Sequence, residues 1–98
     1  PPVEPPVADA VVALTGESDL RLEAAARLLE RGKGKRLLIS GVNREASRDD
    51  ILAVSRAVKP IYDCCVDLGF RAYDTRSNGL ETARWAKQRK VEMSYIGG

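Results

Sequence analysis

Short apolar runs alternate along the chain with longer segments whose apolar residues recur at helical spacing. Residues 9–14 and 36–40 are nearly continuous in Ala, Val, Leu and Ile, which is typical of strands buried on both faces. Two further runs, at 63–66 and 91–96, predict a third and a fourth strand. Apolar residues at helical spacing predict helices over about residues 20–31, 48–58 and 79–89.

Several polar residues have the chemistry that bounds helices. Ser47 and Asp50 have the three-residue spacing of a capping box, and Asn78 and Glu81 have it again. Pro60 predicts that the second helix ends before it, because the residue preceding a proline avoids helical geometry. The segment 67–73 has no clear periodicity and is predicted to be a loop.

The predicted element order is β-α-β-α-β-α-β. Helical connections of this length predict parallel strands with right-handed crossovers. We therefore expect an α/β fold with a Rossmann-like parallel sheet and flanking helices. Four strands and three helices make about half of a typical doubly wound domain, so residues 9–98 are expected to be the N-terminal part of a larger, here truncated domain. Residues 1–8 contain four prolines and are expected to form an extended linker.

An incomplete sheet leaves an apolar face or edge in contact with water. Proteins cover such surfaces, because exposed strand edges and apolar patches favour association. The sequence therefore predicts self-association of this chain.

Composition narrows the classes of function. Charged residues make up 31% and apolar residues 44% of the chain, which is ordinary for a globular protein. The net charge of +2 is too small to indicate a nucleic-acid partner. No apolar run approaches the ~18 residues that a membrane span needs. The absence of histidine excludes a Ser-His-Asp relay, a Cys–His pair and most zinc sites from this chain.

The chain has two cysteines, and they are adjacent. Cys64 and Cys65 fall in the third predicted strand. Neighbouring side chains on a strand point to opposite faces of the sheet. We therefore expect the two cysteines to form no disulfide with each other and to bind no metal.

The candidate site comprises the loops that follow the first two strands and the start of the last helix. Carboxyl ends of parallel strands gather at one edge of the sheet, where open α/β folds bind ligands. Free N–H groups at a helix start favour an anion, and an arginine in the first turn can add a bidentate contact. The predicted ligand-binding residues are Thr15, Gly16, Glu17, Arg21, Ser40, Gly41, Asn78 and Glu81.

The same residues also have an interpretation that needs no ligand. Arg21 can pair with Glu17 or Asp19 within its own turn. Asn78 and Glu81 can cap the last helix by satisfying two backbone donors reciprocally. The sequence leaves both interpretations open, and it identifies no catalytic residue.

Together, the three segments resemble the YdcF/SanA/ElyC-like bacterial family, which is catalogued as a domain of unknown function. That family's first motif is an Asp, an apolar strand and Leu-Gly-Gly-Gly, followed by an Arg on the next helix; residues 9–17 and Arg21 match it. Its second motif, an apolar strand ending in Ser-Gly-Gly, is matched by residues 37–42. Its third, Asn-Thr-x-Glu-Asn-Ala, is matched by residues 78–83.

The match departs from the family pattern in four positions and in one segment. Thr15 and Glu17 stand where the family has glycines, Gly79 where it has Thr, and Thr82 where it has the second Asn. Family members also continue after the fourth strand into a segment that carries a Ser, a His and an Arg near its end. The His and the Arg of that segment are absent from this chain.

The resemblance implies a polar pocket at the strand ends and a role in cell-envelope biogenesis. It offers S-adenosylmethionine as a cofactor, and a location either in the periplasm, anchored to the inner membrane by a segment absent from this chain, or in the cytoplasm. Three functions stay open. The first is binding of a small anionic or nucleotide-like ligand. The second is a transferase or hydrolase whose catalytic His segment is missing here. The third is a structural or interaction domain.

Overall fold

The computed structural model describes residues 8–16, 19–89 and 93–96. Four strands form one sheet in the order β3-β2-β1-β4, and every neighbouring pair is parallel. The α/β, Rossmann-like fold is thus confirmed. The predicted linker lies outside the described residues, apart from Ala8. The elements are β1 (Ala8–Leu14), α1 (Leu20–Glu30), β2 (Gly34–Ser40), α2 (Arg48–Ser55), α3 (Lys59–Cys65), β3 (Val66–Leu68), α4 (Thr75–Arg89) and β4 (Met93–Ile96).

The two faces of the sheet have separate cores, because side chains alternate along each strand. One core joins β1 and β2 to α1, α2 and α3, and its buried members include Val11, Ala13, Leu22, Ala25, Leu37, Ile39, Ile51 and Tyr62. The other core joins the same strands to α4 through Ala10, Val12, Leu38, Trp85 and Ala86. The chain adds β2 and β3 on one side of β1 and β4 on the other. The direction of winding therefore reverses at β1, and such a reversal opens a crevice at the carboxyl ends of the strands.

The predicted capping box at the start of α2 is confirmed. Ser47 Oγ accepts the N–H of Asp50 at 3.1 Å, and Asp50 Oδ2 accepts the N–H of Ser47 at 2.9 Å. The backbone and side-chain hydrogen bonds from Ser47 lower the pKa of Asp50. The helix ends earlier than predicted, at Ser55, because Arg56 adopts a left-handed conformation with φ of 53°.

The segment before β3 is a helix, which corrects the predicted third strand at 63–66. Pro60 lies in the first turn of α3, where its missing N–H removes no helical hydrogen bond. Pro60 is thus compatible with the start of α3, in addition to preventing a preceding helix from continuing through it. The strand follows at Val66–Leu68, partly inside the predicted loop, and the element order becomes β-α-β-α-α-β-α-β.

The prediction that the two cysteines form no disulfide with each other was wrong. Cys64 and Cys65 are joined by a disulfide. They lie in the last turn of α3, where successive side chains are rotated by only about 100°. The expectation of opposite directions depended on the strand assignment and fails with it.

The predicted capping role of Asn78 and Glu81 was also wrong, because α4 begins at Thr75. The cap lies one turn earlier. Asp74 Oδ1 accepts the N–H of Ser77 at 2.7 Å, and Ser77 Oγ accepts the N–H of Asp74 at 3.0 Å. Asn78 and Glu81 therefore lie inside the helix, one turn apart on one face, and their side chains make other contacts.

Candidate functional site

The last residue of β2 meets α4 at the carboxyl edge of the sheet. Ser40 is fully buried, and its Oγ lies 2.6 Å from Glu81 Oε1 and 2.8 Å from Asn78 Oδ1. A hydroxyl has one proton and a carboxylate only accepts, so Ser40 donates to Glu81. Turning the Asn78 amide so that its NH₂ group faces Ser40 satisfies the remaining lone pair.

The carboxylate of Glu81 also joins two loops. Its Oε1 accepts the N–H of Gly41 at 3.1 Å, in the loop after β2. Its Oε2 accepts the N–H of Arg71 at 2.8 Å, in the loop after β3. With the Ser40 hydroxyl, three donors of the chain itself use this carboxylate. Glu81 therefore clamps the two strand ends to α4 and is not a free ligand group.

Gly41 lies where the loop after β1, the loop after β2 and α4 converge. Its φ is +77°, and a Cβ there would lie 2.8 Å from both Thr15 Oγ1 and Asn78 Oδ1. Thr15 Oγ1 donates to the carbonyl of Gly41 at 2.6 Å. The close approach of the three segments thus requires glycine, and it fixes the loop after β1 against the loop after β2.

Arg21 lies in the first turn of α1, beside the end of β1. Its side chain is half-buried, and its Nη1 lies 2.9 Å from the point that a Cβ on Gly16 would occupy. The guanidinium makes no hydrogen bond or ion pair with any residue that the structure describes. Asp19, one of its two predicted partners, does not pair with it, and Glu17, the other, lies outside the described residues.

The fold thus gathers most of the predicted site residues at one edge. Five of them contact one another: Thr15, Ser40, Gly41, Asn78 and Glu81. Gly16 and Arg21 lie at the end of the adjacent strand. The proximity of these residues is a property of the fold, and their role in ligand binding stays a prediction.

Sequence reasoning missed a cleft on the α4 side of the sheet. It lies between the end of β3 and α4 and has a volume of about 460 Å³. The prediction had assigned residues 67–73 to a loop and so provided no wall for it. The only signal was along α4, where Leu80, Arg84 and Gln88 recur every four residues and share one side of the helix.

Asp67 of β3 is a second feature that the sequence did not reveal. It accepts hydrogen bonds from Trp85 Nε1 at 2.7 Å, Arg36 Nη2 at 3.2 Å and Arg89 Nη2 at 3.0 Å. Burial opposes ionisation, but the Trp85 hydrogen bond and the charges of Arg36 and Arg89 outweigh it and lower the pKa of Asp67. This carboxylate therefore binds α4 to β2 and β3.

No group of three or more His, Cys, Asp or Glu side chains is arranged to hold a metal ion within the described ranges. Among the helices described, none is long and apolar enough to cross a membrane. No protein-family model, curated protein or solved structure matches this chain.

Proposed function

We propose that this domain binds a small anionic or nucleotide-like ligand at the carboxyl edge of its sheet, with Arg21 as the charged contact. The observation that carries the proposal is the half-buried guanidinium of Arg21, which lies across Gly16 and has no partner among the described residues. A guanidinium withdrawn from water gains most from a carboxylate or phosphate that accepts two hydrogen bonds.

The topology supports the same position. The winding of the sheet reverses at β1, and ligands of open α/β folds bind at such a reversal. The first turn of α1 begins at Leu20, and its N-cap residue Asp19 makes no side-chain capping bond. The positive end of the helix dipole therefore adds to the charge of Arg21.

The cluster around Ser40 has a supporting role in this proposal. Glu81 and Asn78 bind the loop after β2, and Thr15 binds that loop to the end of β1. A site whose loops are already fixed loses less conformational entropy when a ligand binds. Since the Glu81 carboxylate is used by three donors of its own chain, its contacts favour positioning of the loops over acid–base catalysis.

The family resemblance narrows the proposal to two candidates. S-adenosylmethionine carries a carboxylate that suits a guanidinium, and a nucleotide of the cell envelope would present a phosphate. Both ligands would use Arg21, and both would extend along the crevice at the end of β1.

Calorimetric titration of the chain with inorganic phosphate, AMP and S-adenosylmethionine tests the proposal. For any probe that binds the wild-type protein, Arg21→Ala is expected to reduce the binding free energy by about 1–3 kcal/mol, the usual contribution of a charge-assisted hydrogen bond. The matched control is Arg31→Ala, which removes an exposed arginine at the other end of α1 and leaves affinity unchanged.

The proposal fails if wild-type protein binds none of the three probes. It also fails if the two variants lose affinity equally, since the effect would then come from net charge alone. Circular dichroism of both variants checks that the fold is intact.

A further inference from the structure

The cleft beside α4 is a separate surface from the edge at Arg21. Apolar side chains of β3, its following loop and α4 form its walls, chiefly Leu68, Phe70, Leu80 and Trp85. The lining extends along α4 from Ser77 to Gln88, a distance of about 16 Å at 1.5 Å per residue. Its volume of about 460 Å³ lies in the range of small-molecule sites.

The walls of this cleft are held in position. Gly69 N donates to the carbonyl of Ile39 at 2.8 Å, and the N–H of Val42 donates to the carbonyl of Gly69 at 2.8 Å. Glu81 packs so closely on Gly69 that any side chain there would collide with its carboxylate. On the other side, the indole of Trp85 is fixed by its hydrogen bond to Asp67. The cleft is therefore formed before any ligand arrives.

Two arginine side chains at the cleft supply positive charge. The side chains of Arg71 and Arg84 line it, are exposed, and form no hydrogen bond or ion pair within the described part of the chain. Glu81 also lines the cleft, but its oxygens face Ser40 and the N–H groups of Gly41 and Arg71. The charge available to an occupant is therefore positive.

The backbone of the loop after β3 offers little to a peptide. Both polar groups of Gly69 are bonded, the N–H of Arg71 is held by Glu81, and the carbonyl of Phe70 accepts from Arg44 Nε at 3.4 Å. An extended peptide binds a strand edge mainly through such backbone groups. The occupant that fits has a linear apolar body and one acidic head.

From this we infer that the cleft binds a linear amphipathic carboxylate, with its apolar chain against Phe70 and Trp85 and its carboxylate on Arg84 and Arg71. The inference goes beyond the proposed function and uses different residues. α1 and α4 pack on opposite faces of the sheet, so a ligand at Arg21 does not occupy this cleft.

Trp85 is the single tryptophan of the chain and lines the cleft, so its fluorescence reports occupancy directly. The full chain is titrated with decanoate below its micellar concentration and, separately, with decanol. We expect a saturable change in Trp85 emission with decanoate. Decanol lacks the charge and is expected to bind the wild-type protein about tenfold more weakly than decanoate does. Decanoate is expected to bind the Arg84→Gln variant about tenfold more weakly than it binds the wild type.

The matched control is Arg76→Gln, an exposed arginine of α4 that does not line the cleft. Its affinity for decanoate is expected to equal that of wild type. Absence of a saturable change with wild-type protein would overturn the inference, as would equal binding of decanol and decanoate or equal losses in the two variants. A change in Trp85 emission with decanoate that appears only at protein concentrations where the chain self-associates would identify a second copy as the occupant and would overturn it too. Because Arg21→Ala leaves this cleft intact, failure here is distinguishable from failure of the proposed function.

Discussion

At the scale of single residues, Gly41 is the predicted site residue at which both the backbone conformation and the neighbouring atoms exclude a side chain. Its positive φ and its close neighbours Thr15 and Asn78 exclude a side chain for two separate reasons. Gly32, just after α1, has nearly the same φ of +74° but has no atom within 4 Å of the point where a Cβ would be. The two glycines therefore separate backbone strain from steric crowding.

Gly41→Ala is expected to destabilise the protein more than Gly32→Ala. Both changes impose the cost of a left-handed alanine, about 1–2 kcal/mol. Gly41→Ala adds the cost of overpacking against Thr15 and Asn78, about 1–3 kcal/mol. Urea unfolding of both variants measures the difference in the free energy of unfolding. Equal losses would mean that the loops separate readily and that the convergence at Gly41 is not a rigid feature.

The sequence predicted which residues meet at this edge but not what they do there. Polar residues after buried strands are visible in a sequence, and parallel pairing brings them together, as it does for Ser40 and Gly41. The capping interpretation of Asn78 and Glu81 failed because Asp74 and Ser77 supply an equally good cap one turn earlier. Competing caps within a few residues differ by too little energy for spacing alone to decide between them.

At the scale of elements, the segment 59–68 shows where sequence patterns were ambiguous. A short apolar run suits either a buried strand or a helix. Contacts of Tyr62 with residues distant in the sequence favour the helix. Its side chain is buried in the core that contains α1, α2 and α3. Its hydroxyl donates to the carbonyl of Arg48 at 2.7 Å, and the Arg48 guanidinium lies over its ring. Those contacts involve the start of α2, so local periodicity could not reveal them.

β3 is correspondingly short, and Asp67 compensates by tying it to α4. Among the strands that the structure describes, β3 pairs with β2 alone. Asp67 binds the indole of Trp85 and the guanidinium groups of Arg36 and Arg89, so one carboxylate joins the edge strand, the central sheet and the helix. Protonation of the Asp67 carboxylate would weaken all three of these contacts at the edge of the sheet.

The stabilising effect of Asp67 is expected to disappear at low pH. Its pKa in the folded state lies below the ordinary value of 3.8. Its carboxylate therefore contributes stability above the pKa of the unfolded state, and that contribution is lost as pH falls through the lower folded value. The difference in the free energy of unfolding between wild type and Asp67→Asn should be constant above about pH 5 and shrink below about pH 4.

Urea unfolding at several pH values, followed by Trp85 fluorescence, measures this difference. Glu45→Gln serves as the control, because Glu45 is exposed and its side chain makes no bond to the described residues. A gap between wild type and Asp67→Asn that persists unchanged to pH 2 would show that the carboxylate's charge is not what holds α4.

At the scale of the whole molecule, the two faces of the sheet are covered unequally. Of the helices described, α1, α2 and α3 pack on one face and α4 packs on the other. Apolar side chains remain exposed near α4, with Leu80 at 58% and Tyr73 at 87% of their full exposure. β3 is an edge strand, and on the side that faces away from β2 it has no neighbour among the described strands. Apolar exposure and an open strand edge both favour association.

We therefore expect the chain to self-associate through its α4 side, in agreement with the self-association predicted from the sequence. Sedimentation velocity over a range of protein concentrations should show a sedimentation coefficient that rises with concentration.

Leu80→Lys is expected to shift the protein toward monomer, because it places a charge in the apolar patch at a position exposed enough to leave folding intact. Val58→Lys is the matched control: Val58 is 50% exposed and precedes α3 on the other face, so its replacement should leave association unchanged. A sedimentation coefficient that stays at the monomer value at every concentration would show that α4 and its neighbouring loop cover the sheet sufficiently by themselves.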